Sequence, residues 1–227
     1  MRDLLVTGTD TGVGKTVIAA ALVTALRSRG VRALGFKPVE TGIEAGRDAD
    51  SEILARASGG AVELAMPLLR LTEALAPAVA AERAGIPMSG QDIEARVAEL
   101  RRAGYPLVIE GAGGVMVPLS WVGTKVDATC AYTVLDLAEK CDLDAIIVAH
   151  AGLGTLNHVV MTVLMLQSRH ISIRGIVLNG RGACPDTAES TNPAALARML
   201  PGLRIIEVPH QTAETVAATA NIVGRLL

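Results

Sequence analysis

Aromatic side chains are scarce in this chain: one Phe, one Trp and two Tyr make up 2% of 227 residues, although half of all residues are apolar. A core with so few rings must be built from aliphatic side chains packed at close range, which suits helices lying on a parallel sheet. No excess of positive charge is present. The net charge is −2, and Lys and Arg are scattered, which removes the electrostatic footprint of a nucleic-acid binder. Cysteine is sparse too: Cys130, Cys141 and Cys184 are odd in number and share no metal-ligand or CxxC spacing, so reduced thiols in cytosol are expected. No uninterrupted apolar run approaches the roughly 18 residues of a membrane span, and the opening MRDLLVTGTD is too short in apolar residues for a secretory signal. Internal repeats, low-complexity segments and linkers are missing as well, so residues 1–227 are expected to form one domain.

What is present is an alternation. LLV (Leu4 to Val6), LVI (Leu107 to Ile109), AIIVA (Ala145 to Ala149) and GIVLN (Gly175 to Asn179) are continuously apolar, as strands buried on both faces are; RALGF and RIIEV are weaker strand candidates. Helical patterns cover Lys15 to Arg29, Asp50 to Ala57, Gly90 to Arg102, Val134 to Lys140, Leu156 to Arg169, Pro193 to Leu200 and Ala213 to Leu227. Right-handed crossovers turn this order into an α/β fold: a doubly wound, mostly parallel sheet with helices on both faces. Ligands of such sheets gather at the carboxyl ends of the strands, and the informative motifs fall there.

The first is VTGTDTGVGKT, Val6 to Thr16. It reads as a phosphate-binding loop with one residue more than usual: Gly8 stands before five residues and then Gly14-Lys15-Thr16. Strand, glycine-rich turn and an alanine-rich helix are the context in which backbone N–H groups and the helix N-terminus meet phosphates, Lys15 reaches β/γ oxygens and the Thr16 hydroxyl ligates Mg²⁺. ATP or GTP binding is expected.

GFKPVETG places Lys37 at a strand end, where its ammonium could join that of Lys15 on a transferring phosphoryl group; the alternative is a solvated surface lysine. RDADSEIL offers Asp48 and Asp50 at a helix start, where an acid also serves as an N-cap, the favoured reading for Asp48. VIEGAGG offers Glu110, a carboxylate closing an apolar strand beside glycines, which packing explains poorly and a metal explains well. LGTLNH begins another helix whose free N–H groups could hold a carboxylate or phosphate; His158 within it reads as structural.

In this order GTDTGVGKT, KPVETG, VIEGAGG, LGTLNH and VLNG resemble the dethiobiotin synthetases, whose loop is similar in its five-residue spacing. The resemblance implies an ATP-dependent ligase of biotin synthesis that joins CO₂ to 7,8-diaminopelargonic acid. It implies that Thr11, Gly12, Val13, Gly14, Lys15 and Thr16 hold ATP together with Glu110 and Gly113, and that Thr16, Asp50 and Glu110 surround Mg²⁺. Lys37 and Thr41 would face the carbamate and γ-phosphate, with Lys15, as the catalytic groups. Asn179 would read adenine beside Pro209 and His210. Gly154, Thr155, Leu156 and Asn157 would receive the diamine's carboxylate from the opposite subunit of a homodimer. Gly12 departs from the glutamate of many relatives, and the choice of Asp50 over Asp48 as metal ligand rests on the leucine four residues on, Leu54, with Asp48 the alternative.

Partition and septum-placement ATPases share the general fold, but their early loop lysine is replaced here by Asp10, and VAATANIVGRLL has too few basic residues for a membrane anchor. Cobyrinate-type amidases have a similar loop together with a further glutamine-hydrolysing domain, for which 227 residues leave no room. A nucleotide sensor without turnover is the third alternative.

Overall fold

A computed structural model describes residues 2–46, 48–60, 62–122, 130–182, 184–209 and 216–227. Its centre is a six-stranded, all-parallel sheet formed by β1 (Leu4–Gly8), β2 (Leu34–Phe36), β5 (Leu107–Gly114), β8 (Asp144–His150), β9 (Ile173–Arg181) and β10 (Ile205–Pro209), in the order β10-β9-β8-β1-β5-β2. β3 (Val39–Thr41) pairs in parallel with β4 (Leu69–Leu71), and β6 (Pro118–Trp121) pairs antiparallel with β7 (Ala131–Thr133).

Continuous apolarity has the expected cause. Along β1, Leu4 and Val6 enter one core while Leu5 enters the other; in β8, Ile146 and Val148 alternate with Ala145, Ile147 and Ala149 in the same way. Side chains of a strand point to opposite faces in turn, so a strand covered on both sides must be apolar at every position. One face carries α1 (Lys15–Ser28), α2 (Asp50–Ala57) and α9 (Val216–Val223). The other carries α5 (Gly90–Arg102), α6 (Val134–Lys140), α7 (Thr155–Ser168) and α8 (Thr187–Met199). The short helices α3 (Val62–Ala65) and α4 (Pro77–Arg83) lie in the β2–β5 connection.

Two expectations need correction. The helix read as starting at Pro193 begins at Thr187, with proline in its interior. Asp186 caps it, accepting from the Glu189 N–H at 2.8 Å while the Glu189 carboxylate accepts from the Asp186 N–H at 3.2 Å, and this capping box outweighs the preference of proline for the first turn. β5 does not close at Glu110 but runs on through the glycines to Gly114, so Glu110 is its fourth of eight residues. In the last segment, 210–215 lie outside the described residues; Val216–Val223 is helical and Gly224–Leu226 is a 3₁₀ turn.

Candidate active site

The loop between β1 and α1 is shaped by two glycines. A Cβ at Gly8 would lie 2.6 Å from the Asp10 carbonyl oxygen, and Gly14, at φ 91°, holds a left-handed conformation and would drive a Cβ into the Asn179 amide. Gly14 therefore lets the chain turn into α1 while β9 closes over it. Lys15 opens the helix, is 7% exposed, and donates from Nζ to the Asp10 carbonyl at 3.0 Å, curling back across its own loop. Burial lowers its pKa, against the attraction of the Glu110 carboxylate.

Glu110 follows from strand alternation. Ile109 faces the α5–α6 core, so Glu110 faces α1, and there its Oε1 accepts the Thr16 hydroxyl at 2.9 Å. Lys37, immediately beyond β2, donates to the same oxygen at 2.8 Å and to the Asp50 carboxylate at the start of α2. Thus the start of α1, the end of β2 and the start of α2, separated widely in sequence, meet about the buried Glu110 within β5. Burial raises the pKa of Glu110, while Lys37 opposes that rise. At Lys37 burial acts against the charge, but the carboxylates of Glu110 and Asp50 together outweigh it and hold the ammonium above the ordinary lysine range.

One oxygen is left over. Glu110 Oε2 is buried without a hydrogen-bond partner among the described residues, and Glu110 is 1% exposed. An orphaned buried carboxylate oxygen needs a cation or donor. With the Thr16 hydroxyl and the Asp50 carboxylate it makes a hard-oxygen set of two carboxylates and a hydroxyl, the sparse protein contribution that suits Mg²⁺ bound also by phosphates and water. Asp48 is drawn elsewhere, to Arg56 at 2.6 Å on the exposed surface.

The remaining expected residues divide. Thr41 ends β3 and lines, with Asp50, a polar cleft of about 210 Å³. Gly113 sits against the loop, its Cβ direction pointing past Val117 toward the Thr11 hydroxyl. Thr11 and Gly12 are exposed and Val13 is buried. Asn179 donates from Nδ2 to the Val13 carbonyl at 2.9 Å, and its Oδ1 is buried without a partner among the described residues. Val208 pairs with Asn179, which places exposed Pro209 at the next step of β10; His210 lies outside the described residues. Gly154, at φ 91°, caps α7; Thr155 is buried with its hydroxyl unpartnered among the described residues, Leu156 is half-buried, and Asn157 and His158 are exposed. That helix start follows β8, on the other side of β1 from β5, and so stands apart from the Lys37–Glu110 cluster.

Sequence reading missed Asn192. It is 5% exposed and donates from Nδ2 to the carbonyls of Ala151 and Gly152 at 2.8 and 2.9 Å, fixing the loop that leads to Gly154. An asparagine just before a proline, ahead of the apolar run AAL, is the signal the sequence offers.

A phosphate loop feeding a parallel sheet, with a buried carboxylate tied to its threonine, defines a P-loop nucleotide-binding protein. Accordingly, residues 2–217 match the family model described as "AAA domain". Solved structures agree in fold alone: apo McdA from Cyanthece superposes with a TM-score of 0.55 at 15% identity, covering 100% of this chain and 99% of that one. The MinC:MinD cell division complex of Aquifex aeolicus gives 0.55 at 13% identity, covering 100% and 94%.

Sequence relatives are more specific. The chain is 45% identical to the ATP-dependent dethiobiotin synthetase of Anaeromyxobacter dehalogenans, covering 88% of this chain and 86% of that protein. It is 40% identical to the enzyme of the same name from Mycobacterium leprae, covering 88% and 84%. The chain belongs to the ATP-dependent dethiobiotin synthetase family.

Proposed function

We propose that this protein makes dethiobiotin from 7,8-diaminopelargonic acid, CO₂ and ATP, as a cytosolic, single-domain enzyme working as a homodimer. The observation that carries the reading is the junction at Glu110, where a phosphate-loop hydroxyl, a second buried ammonium and an unpartnered carboxylate oxygen converge.

One amine of the substrate attacks CO₂ and loses a proton, giving a carbamate. The carbamate oxygen then attacks the γ-phosphorus, with ADP leaving, and the second amine attacks the resulting carbamic–phosphoric anhydride at carbon, expelling phosphate and closing the ureido ring. Negative charge moves through each step, so fixed cations aimed at the reacting oxygens are the main aid a protein can give. Lys15 holds the β/γ oxygens, and Lys37 and Thr41 face the carbamate and γ-phosphoryl group. Thr16, Asp50 and Glu110 would hold Mg²⁺, which neutralises phosphate charge.

Asn179 supports adenine as the base. Its Nδ2 donates one hydrogen to the Val13 carbonyl, and its Oδ1, buried and unpartnered among the described residues, is an acceptor that fits the exocyclic amine of adenine. Pro209 and His210 would border the same base. The start of α7 supports a carboxylate site: Gly154 to Asn157 offer helix N–H groups, and the buried Thr155 hydroxyl lacks a partner. Its distance from Lys37 in the sheet order, with exposed Leu153, Met161 and Leu164 on and before α7, supports delivery of that site across a two-fold interface.

The test is mass detection of product from ATP, Mg²⁺, diaminopelargonate and ¹³C-bicarbonate. Dethiobiotin carrying the label, formed in step with ADP, is expected; a folded protein that binds ATP but forms neither product would be a nucleotide sensor.

A further inference from the structure

Glu40 is a buried carboxylate that the chemistry above does not use. It is 3% exposed and lies on β3, directly before Thr41. Its Oε1 accepts the Ser51 backbone N–H at 3.2 Å, and its Oε2 accepts the Ser51 hydroxyl at 2.7 Å. Ser51 is 2% exposed and directly follows Asp50 in the first turn of α2. Opposite Glu40 in the β3–β4 ladder stands Arg70, whose Nε lies 3.4 Å from Glu40 Oε2 and whose Nη2 donates to Glu52 Oε1 at 3.3 Å. Glu52 in turn accepts from the Ala49 N–H at 3.3 Å. Four polar residues thus tie the first turn of α2 to a two-stranded ladder, with Asp50 on one side of the tie and Thr41 on the other.

Joining a short strand to a helix does not by itself require a charge, and burying a carboxylate carries a desolvation penalty that these bonds must offset. What the charge adds is direction. Two N–H or O–H donors from one residue meeting both carboxylate oxygens fix the rotation of the helix start as well as its distance. Asp50 is 37% exposed at its side chain and paired with Lys37, so without that tie the first turn could follow Lys37 or solvent. We propose that Glu40 is a positioning residue: through Ser51 it sets where the Asp50 carboxylate stands relative to Lys37 and Glu110. The proposal rests on the reading of Asp50 as a Mg²⁺ ligand.

Two measurements on the full chain separate the tie from the metal. The first is amide hydrogen exchange of the metal-free protein. Glu40→Ala is expected to speed exchange at Ser51 and its neighbours in α2 while α1 and α5 stay protected; unchanged exchange at Ser51 would overturn the tie. The second is the Mg²⁺ concentration giving half-maximal turnover. By analogy with loss of an outer partner of a metal ligand, Glu40→Ala, acting through Ser51, should raise it by about 10- to 100-fold, with Glu40→Gln, which keeps one acceptor for the Ser51 hydroxyl, recovering much of the loss. In an Asp50→Asn background the same substitution should add less than about twofold, because both changes act through one carboxylate. An equal loss in both backgrounds would overturn the positioning role. If Asp50→Asn alone leaves the Mg²⁺ requirement unchanged while Ser51 exchange quickens in Glu40→Ala, the metal reading of Asp50 falls and the tie survives as architecture. Should Glu40→Ala fail to fold, Ser51→Ala carries both comparisons.

Discussion

The two ends of the proposed site differ in how finished they are within one chain. Around β1, β2 and β5 the polar groups are joined to one another about a buried centre: Glu110 is 1% exposed and Lys37 7%, and half-buried Thr16 and Asp50 complete a continuous set of contacts with them. Around the start of α7, Leu153 is 95% exposed, Asn157 faces solvent, and Met161 and Leu164 are each 58% exposed one and two turns further along. A phosphate cradle can be assembled from a single sheet edge because the loops after neighbouring strands already lie side by side. The start of α7 follows β8, two strands from β5, and its open apolar surroundings make sense under the proposed dimer, in which another copy supplies the matching half.

This contrast can be broken at either end. The largest effect is expected from Lys15→Ala, which removes the ammonium lying across the loop; ATP binding should weaken sharply and turnover fall by about 10³-fold or more, read by nucleotide titration and ADP release. Lys37→Met should lower kcat by about 10²- to 10³-fold, with ATP affinity moving far less, because its charge acts where negative charge redistributes. Loss of ATP binding as severe as in Lys15→Ala would make Lys37 a nucleotide clamp instead. Lys37→Arg should rescue little, since a planar fork does not replace a compact ammonium. At the other end, Leu164→Glu should yield a monomer by light scattering that still binds ATP yet turns over slowly. The smallest effect belongs to Asn179→Ala, which should weaken ATP binding by a hydrogen bond's net worth, about 0.5–1.5 kcal/mol, and narrow the preference for ATP over GTP in competition titrations.

The phosphate loop, Lys37, Asp50 and Glu110 were legible in the sequence because each is a polar residue where packing wants none: at the end of, or within, an apolar strand, or at a helix start. The alternation of LLV, LVI, AIIVA and GIVLN with helical patterns was enough to expect the parallel sheet, since strands covered on both faces are apolar without a break. Asp50 pairs with Lys37, and Asp48 pairs with Arg56. What was not legible depended on contacts between distant residues. The start of α8 hid behind Pro193, because a proline suggests a first turn more strongly than an Asp186–Glu189 box suggests a cap. The length of β5 hid in glycines that carry no pattern. Glu40 and Arg70 face each other only because β3 and β4 pair in one register, and Asn192 reaches Gly152 only because α8 packs beside the β8–α7 loop.

The most direct test of a site shared between an enclosed half and an open half is subunit mixing. Lys15→Ala and Asn157→Ala proteins, each inactive alone, are unfolded together, refolded at equal concentration and assayed for dethiobiotin. In a two-fold dimer half of the assemblies are mixed, and each mixed dimer regains one intact cradle facing one intact helix start, so activity should return to about a quarter of the wild-type level. No recovery, from mixed dimers verified by mass, would place both halves of the site in one chain and contradict the account.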